Sequence, residues 1–323
     1  MRRVFRLLTT PLDRLALWSA RSGQADHGGC SHAAEAQKLL EGADFFCSGI
    51  AAPAKAHFTN EHDFSFNSPL ATPWAENNVV PGKLHRAGKA WREKPAVILI
   101  HGWNGELGYR WQFPLLARRL ARRGVNAAMI ELPYHGRRKP RRPDAINNFI
   151  SHDLLRMVEA TRQAIADTRA LAAWLAAQGS PRVGLWGFSM GAWLAGLVAG
   201  HDPQAVFAVL LTPIARLDRA IAELAFCEPI RQSLQNTAIR FEPLNLRAHF
   251  PLAGPENILL LESTHDLFAP ADTVEELWRA WRKPEIWRLP HGHISVLLSL
   301  RIMERAVDWV VRHATPRASR LAI

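Results

Sequence analysis

The chain has 323 residues, 48% of them hydrophobic, enough to bury a large core in one principal domain with additions rather than two equal ones. Lys and Arg outnumber Asp and Glu by 40 to 29, and this net charge of +11 favours contact with acidic substrates, nucleic acid or an anionic membrane surface. Three scattered cysteines, Cys30, Cys47 and Cys227, exclude a disulfide framework and point to a reducing, cytoplasmic setting.

The start, Met1-Arg2-Arg3-Val4-Phe5-Arg6-Leu7-Leu8, is basic, but Arg6, Pro11, Asp13 and Arg14 break any signal-peptide apolar region. No run of the chain reaches the roughly 18–20 apolar residues of a membrane span. The first fifty or so residues carry a helical pattern in which Leu7, Leu8, Leu15, Leu17 and Trp18 make one apolar face. This segment reads as packing on the domain, with peripheral contact to an anionic membrane surface as the alternative. In the Gly28-Gly29 break, Asp26, His27, Cys30 and His32 fit no standard zinc spacing and read as a loop.

From about residue 57 the texture changes. Phe58, Phe64 and Phe66 alternate around polar residues and, with an apolar stretch at 77–84, predict antiparallel edge strands. Buried strands are predicted at 96–100, 125–132, 182–186 and 257–261, and further strands at 205–211 and 285–289. Helical patterns fill 111–123, 151–178, 192–199, 272–281 and 294–313. Strands alternating with helices predict an α/β fold, a mostly parallel sheet covered on both faces.

The most telling stretch is Gly187-Phe188-Ser189-Met190-Gly191, a serine between strand and helix with glycine two places to either side. This is the G-x-S-x-G pattern of a nucleophile held in a sharp turn. Side chains at the flanking positions would collide as strand and helix cross. A serine hydroxyl is a weak nucleophile near neutral pH and needs a base, itself oriented by a third group. Asp266 leaves the strand at 257–261, and His291-Gly292-His293 leaves the strand at 285–289. Asp266 is favoured over Asp272, which reads as a helix N-cap, and over Glu262, still within or at the end of its strand. His293 is favoured over His291 because Gly292 lets the loop swing the imidazole over the serine. The amide of Met190, at a helix N-terminus, and that of Trp103, after the turning pair His101-Gly102, are the candidate donors for a developing oxyanion. Tyr134 and His135 follow a strand at the same sheet edge and are candidate substrate contacts. The cluster Arg137-Arg138-Lys139-Pro140-Arg141-Arg142 reads as a solvated loop or as an anion-attracting rim.

Ser189, Asp266 and His293 in this chain order, with the His101-Gly102 turn, resemble the α/β-hydrolase superfamily from about residue 57 onward. The resemblance implies an eight-stranded, mostly parallel sheet, a small cap at about 213–256 inserted after the sixth strand, and a helical extension over 1–55 before a hydrolase domain at 56–323. It also implies a serine-acyl intermediate and no metal or organic cofactor. Pro133-Tyr134-His135-Gly136-Arg137-Arg138-Lys139-Pro140 and the elbow are further similar to the subgroup typified by α/β-hydrolase domain-containing protein eighteen, although Ala192 stands where that subgroup carries another glycine.

The expected activity is that of a serine hydrolase on a carboxylic ester or thioester of a small-molecule or lipid acyl substrate, with no nucleic acid as partner. Acyl transfer, amide or peptide cleavage and lyase chemistry use nearly the same groups. A serine at the elbow argues against dehalogenase or epoxide-hydrolase chemistry, which on this fold uses an aspartate there. The rival from another class is a catalytically silent binding module for anionic lipid or nucleic acid, motivated by the net charge.

Overall fold

A computed structural model describes residues 9–22, 32–46, 51–141, 149–235, 237 and 239–315. The basic start, Asp26, His27, Cys30, Cys47 and Arg142 lie outside the described residues.

Nine strands form one sheet: β1 (His57–Phe58), β2 (Asp63–Asn67), β3 (Val79–His85), β4 (Ala96–Ile100), β5 (Asn126–Ile130), β6 (Val183–Phe188), β7 (Ala205–Leu211), β8 (Ile258–Ser263) and β9 (Glu285–Leu289). Their order is β1-β2-β3-β5-β4-β6-β7-β8-β9. The first three run antiparallel to their neighbours and the rest pair in parallel. The ninth strand beyond the implied eight is the two-residue β1, added at the edge through His57↔Ser65 and Phe58↔Phe64.

The run Ala-Val-Ile-Leu-Ile of β4 is buried throughout because both faces of the sheet are covered. Ile98 and Ile100 turn to one core and Val97 and Leu99 to the other, as the strand period of two requires. Helices α1 (Pro11–Ser22), α2 (Ala33–Leu40), α3 (Phe113–Arg122), α4 (Leu154–Ala177), α5 (Met190–His201), α6 (Leu217–Glu223), α7 (Glu228–Leu234), α8 (Ala271–Ala280) and α9 (Leu300–Ala314) complete the described elements. The helical pattern at 294–313 is two pieces: a 3₁₀ turn at Ser295–Leu298, then α9 after Ser299. Asp272 is not an N-cap, since Pro270 holds that position and Asp272 lies in the first turn of α8.

Strand order reverses around β4, whose neighbours are β5 and β6, so the crevice beyond their carboxyl ends is where an open α/β sheet holds its ligands. Between β7 and β8, α6, a 3₁₀ turn at Ala225–Cys227 and α7 arch over that crevice. The indole of Trp193 on α5 anchors this stretch by donating to the Leu244 carbonyl at 2.7 Å, and that of Trp281 donates to the Leu246 carbonyl at 3.1 Å.

Within the arginine cluster Arg137 and Arg141 are exposed, whereas Arg138 departs from both expectations. Arg138 is wholly buried and donates to Asp167 of α4 at 2.8 Å, with further bonds to the Asn77 and Glu131 carbonyls. Burial pushes the Asp167 carboxyl up, against the lowering effect of the Arg138 guanidinium. Arg137 pairs with Glu131 at 2.9 Å and Lys139 with Glu106 at 2.7 Å, so these three cations are engaged rather than offered to an anion. Removing one partner of a buried pair strands the other's charge. Asp167→Ala is therefore expected to cost about 3–5 kcal/mol, read as a shift in the urea midpoint at unchanged slope.

Candidate active site

Ser189 joins β6 to α5 at φ 56° and ψ −121°, a left-handed conformation that a side chain beyond Cα makes costly. The two flanking glycines are needed for different reasons. A Cβ on Gly187 would fall on the Gly191 carbonyl and the Ala192 Cα of the departing helix. A Cβ on Gly191 would fall on the carbonyls of Ile100 and His101, so that clash is with the neighbouring strand β4 rather than with β6. The Ser189 amide donates to the Leu211 carbonyl of β7 at 2.9 Å and fixes the turn from the other side.

The hydroxyl so presented lies 2.7 Å from His293 Nε2. His293 Nδ1 lies 2.7 Å from Asp266 Oδ2, and the Asp266 Oδ1 accepts the amides of Phe268 and Ala269 at 2.7 and 2.8 Å. A carboxylate can only accept, so it places the imidazole proton on Nδ1 and leaves the Nε2 lone pair facing the Ser189 hydroxyl. Phe268 stacks on the imidazole at 4.7 Å and Phe188 lies at 5.1 Å from it. Asp272 is held by Arg219 of α6, Glu262 faces Arg288 of β9 at 3.6 Å, and the imidazole of His291 is outside the cavity wall.

Asp13 of α1, read from the sequence only as a break in an apolar run, was not among the expected site residues. Its side chain is fully buried. Oδ2 accepts the His293 amide at 2.8 Å and the Leu267 amide at 3.3 Å, and Oδ1 accepts the Ile294 amide at 2.9 Å. Burial pushes this carboxyl up, while the amides of Ile294 and His293 pull it down. One turn earlier, Thr9 Oγ1 lies 2.9 Å from His265 Nδ1. Gly292 makes room for this docking: a Cβ there would sit 2.5 Å from the Thr9 carbonyl and 2.8 Å from Asp13 Oδ2. The glycine thus admits α1 against the loop, in addition to any freedom it gives the turn.

Beyond β4, His101 is buried, and burial lowers its pKa. Its Nε2 accepts the Leu132 amide at 3.1 Å, so the proton sits on Nδ1, which donates to the Gly102 carbonyl at 2.7 Å. A Cβ on Gly102 would lie 3.2 Å from Ser189 Cβ, closer than ordinary contact, so the glycine brings this turn onto the serine. Trp103 and Met190 both line the cavity above Ser189. Among the described residues neither of their amides donates to a protein acceptor.

Residues 97–319 match the sequence profile of the alpha/beta hydrolase family, more than half of the chain. The chain belongs to this family. Curated relatives from two strains of Mycobacterium tuberculosis, each described as an uncharacterized protein, are 30% identical over 207 residues, 61% of this chain and 49% of their own length. The chain thus spans about half the length of those relatives. Among solved structures, the Pyrococcus furiosus esterase Pf2001 superposes with a TM-score of 0.54 at 17% identity, covering 82% of this chain and 100% of that one. An acetyl xylan esterase from Paenibacillus sp. R4 gives 0.55 at 15% identity, over 94% of this chain and 99% of its own. An acylaminoacyl peptidase from Pyrococcus horikoshii gives 0.53 at 13% identity, over 84% and 43%. At such identities the likeness is one of fold, and the fold serves many chemistries.

In this alpha/beta hydrolase the crevice is a cavity of about 670 Å³ with Ser189 and His293 in its wall. Ile221, Phe226 and Ile230 from the stretch between β7 and β8 form one side, and Phe149, Met157 and Trp193 another. Not one Asp, Glu, Lys or Arg lines it among the described residues.

The expected substrate contacts Tyr134 and His135 are a correction, for neither reaches this cavity. Tyr134, at φ 60°, is buried, and its amide donates to Asn77 Oδ1 at 3.0 Å. His135 is packed edge-on against His101, and its Nε2 accepts the Asn104 amide at 3.3 Å. His135 lies behind the turn at 101–104 and braces it.

Asp13→Ala would leave buried amides of the His293 loop without an acceptor, at about 1–3 kcal/mol for each. Thermal unfolding should show a lower midpoint for Asp13→Ala and a smaller drop for Asp13→Asn, which keeps one acceptor oxygen. An unchanged midpoint for Asp13→Ala would mean that α1 is not docked as described.

Proposed function

We propose that the protein is a serine hydrolase cleaving a carboxylic ester or thioester whose acyl group is apolar. The observation that carries the reading is the pair of 2.7 Å contacts, Ser189 Oγ to His293 Nε2 and His293 Nδ1 to Asp266 Oδ2, at the wall of an uncharged cavity. In this reading Ser189 Oγ attacks the carbonyl carbon while its proton passes to His293 Nε2. The amides of Met190 and Trp103 then receive the oxyanion, aided by the positive end of α5. As the tetrahedral adduct collapses, the alcohol or thiol leaves with the proton from Nε2, and the acyl group stays on Oγ. A water molecule, deprotonated by the same nitrogen, attacks the acyl-serine, and the returning proton restores the Ser189 hydroxyl. Asp266 keeps the imidazole in the tautomer that can accept and stabilises the imidazolium formed at each step.

The character of the cavity supports the substrate class. A charged acyl group would lose its hydration with no counter-ion in the wall, at a cost of several kcal/mol. An apolar chain gains about 0.8 kcal/mol for each methylene it buries.

A fluorophosphonate probe should label the wild-type protein and leave Ser189→Ala, folded by circular dichroism, unlabelled. Labelling that persists in the variant would place the nucleophile elsewhere. Asp266→Asn should lower kcat by about three to four orders of magnitude with the fold intact, because Asp272 is committed to Arg219 and cannot substitute. Near-normal turnover by this variant would remove Asp266 from the reaction.

A further inference from the structure

Large apolar side chains are left in water around the mouth of the cavity. Leu15 of α1 is 61% exposed, and Leu107 and Trp111, just before α3, are 74% and 71% exposed. All three also belong to the cavity wall, so the exposed surface is continuous with the place where the acyl group would lie. Trp18 on α1 and Leu115 on α3 extend this surface away from the cavity. Exposed apolar surface gathered from distant parts of the chain at one mouth is unusual for a surface that meets only water.

Basic side chains are available beside it. Arg14 lies between the exposed leucines of α1, and Arg110 and Arg118 flank Trp111 and Leu115. All three are exposed, and none makes an ion pair among the described residues. Arg110 and Arg118 share a shallow recess with Glu61 and with Lys83, whose ammonium is paired to Asp63.

From these observations we infer that the face formed by α1 and the start of α3 docks on an anionic lipid bilayer, from which an acyl chain enters the cavity. Leu107 and Trp111 enter the acyl boundary while Arg14, Arg110 and Arg118 meet the anionic headgroups. An acyl chain then passes from lipid to protein without crossing water. A nucleic-acid backbone offers charged phosphates and polar sugars, which leaves an apolar rim of this kind without a counterpart. Among the described residues no helix is long and apolar enough to cross a membrane, so the contact is on the surface of the bilayer. The substrate side of this inference rests on the serine-hydrolase reading, whereas the docking itself does not.

The test uses the full chain carrying Ser189→Ala, so that binding is read without turnover. It should co-sediment with phosphatidylcholine vesicles containing phosphatidylglycerol, bind pure phosphatidylcholine vesicles far more weakly, and be released by salt. A cation near an anionic surface contributes about 1 kcal/mol, or about fivefold in affinity, so Arg110→Gln with Arg118→Gln should lose roughly 25-fold. Trp18→Ser with Leu115→Ser should weaken binding to both kinds of vesicle. In the Ser189 background, both double variants should hydrolyse water-soluble p-nitrophenyl butyrate as the wild type does, but be slower on p-nitrophenyl palmitate held in anionic vesicles. Equal binding with and without phosphatidylglycerol, or binding untouched by these variants, would overturn the docking face. So would a lipid-free dimer in sedimentation velocity that Trp18→Ser with Leu115→Ser dissolves, since the occupant would then be a second copy of the chain. Butyrate turnover without vesicle binding sinks the docking and spares the hydrolase. Vesicle binding without turnover of any ester does the reverse.

Discussion

The backbone at Ser189 has to turn back on itself with φ at 56°, and three separate close approaches make that possible. Gly187 clears the helix that leaves the turn, Gly191 clears the carbonyl end of β4, and Gly102 lets the next turn lie on the serine itself. A left-handed non-glycine residue costs on the order of 1–3 kcal/mol and persists only where its surroundings leave it no alternative. Here the surroundings are β4, β6 and β7, each buried on both faces, with the Ser189 amide tied to Leu211. The strain and the sheet therefore belong to one construction. The central strands fix the turn, and the turn holds a hydroxyl at their carboxyl ends.

The histidine side of the site is assembled by different means. Asp266 is aimed by two amides of its own loop, whereas the His293 loop is held by a carboxylate from the opposite end of the chain. Asp13 spans 280 residues to reach the His293 amide. A buried carboxyl facing backbone amides is worth much more in place than removed, because the amides it serves have no water to turn to. The helix at the start of the chain is thus part of the site's construction, and it also contributes Leu12 and Leu15 to the cavity wall. Positioning and the shape of the entrance are joined in that one helix.

Charge is sorted in the same spirit. The cavity wall carries no acidic or basic side chain among the described residues, while the sheet's flank buries the Arg138–Asp167 pair against α4. The first arrangement favours an apolar ligand. The second clamps the loop after β5 to the long helix, and through His135 that loop braces the turn carrying Trp103. One arginine of a basic run that looks like an outward patch is in this way a piece of internal scaffolding.

Strands β4 and β7 were legible to the residue, because a strand between two helical layers must be apolar throughout and only such runs survive there. Ser189, Asp266 and His293 were legible for another reason: each follows a strand of the parallel part of the sheet, and parallel strands deliver their ends to one edge. What the sequence could not show was which residues of the flanking segments face inward. On α1 the apolar pattern implied that Leu15, Leu17 and Trp18 are buried together, yet Leu15 and Trp18 are exposed and Asp13 is buried. Tyr134, His135 and Arg138 were misplaced in the same way. Local periodicity records the average environment of an element, and it determined the sheet, the elbow and the order of the candidate groups. The partners of a buried polar group come from anywhere in the chain, so only the tertiary structure decided that Asp13 and Arg138 turn inward while the hydrophobic rim turns out.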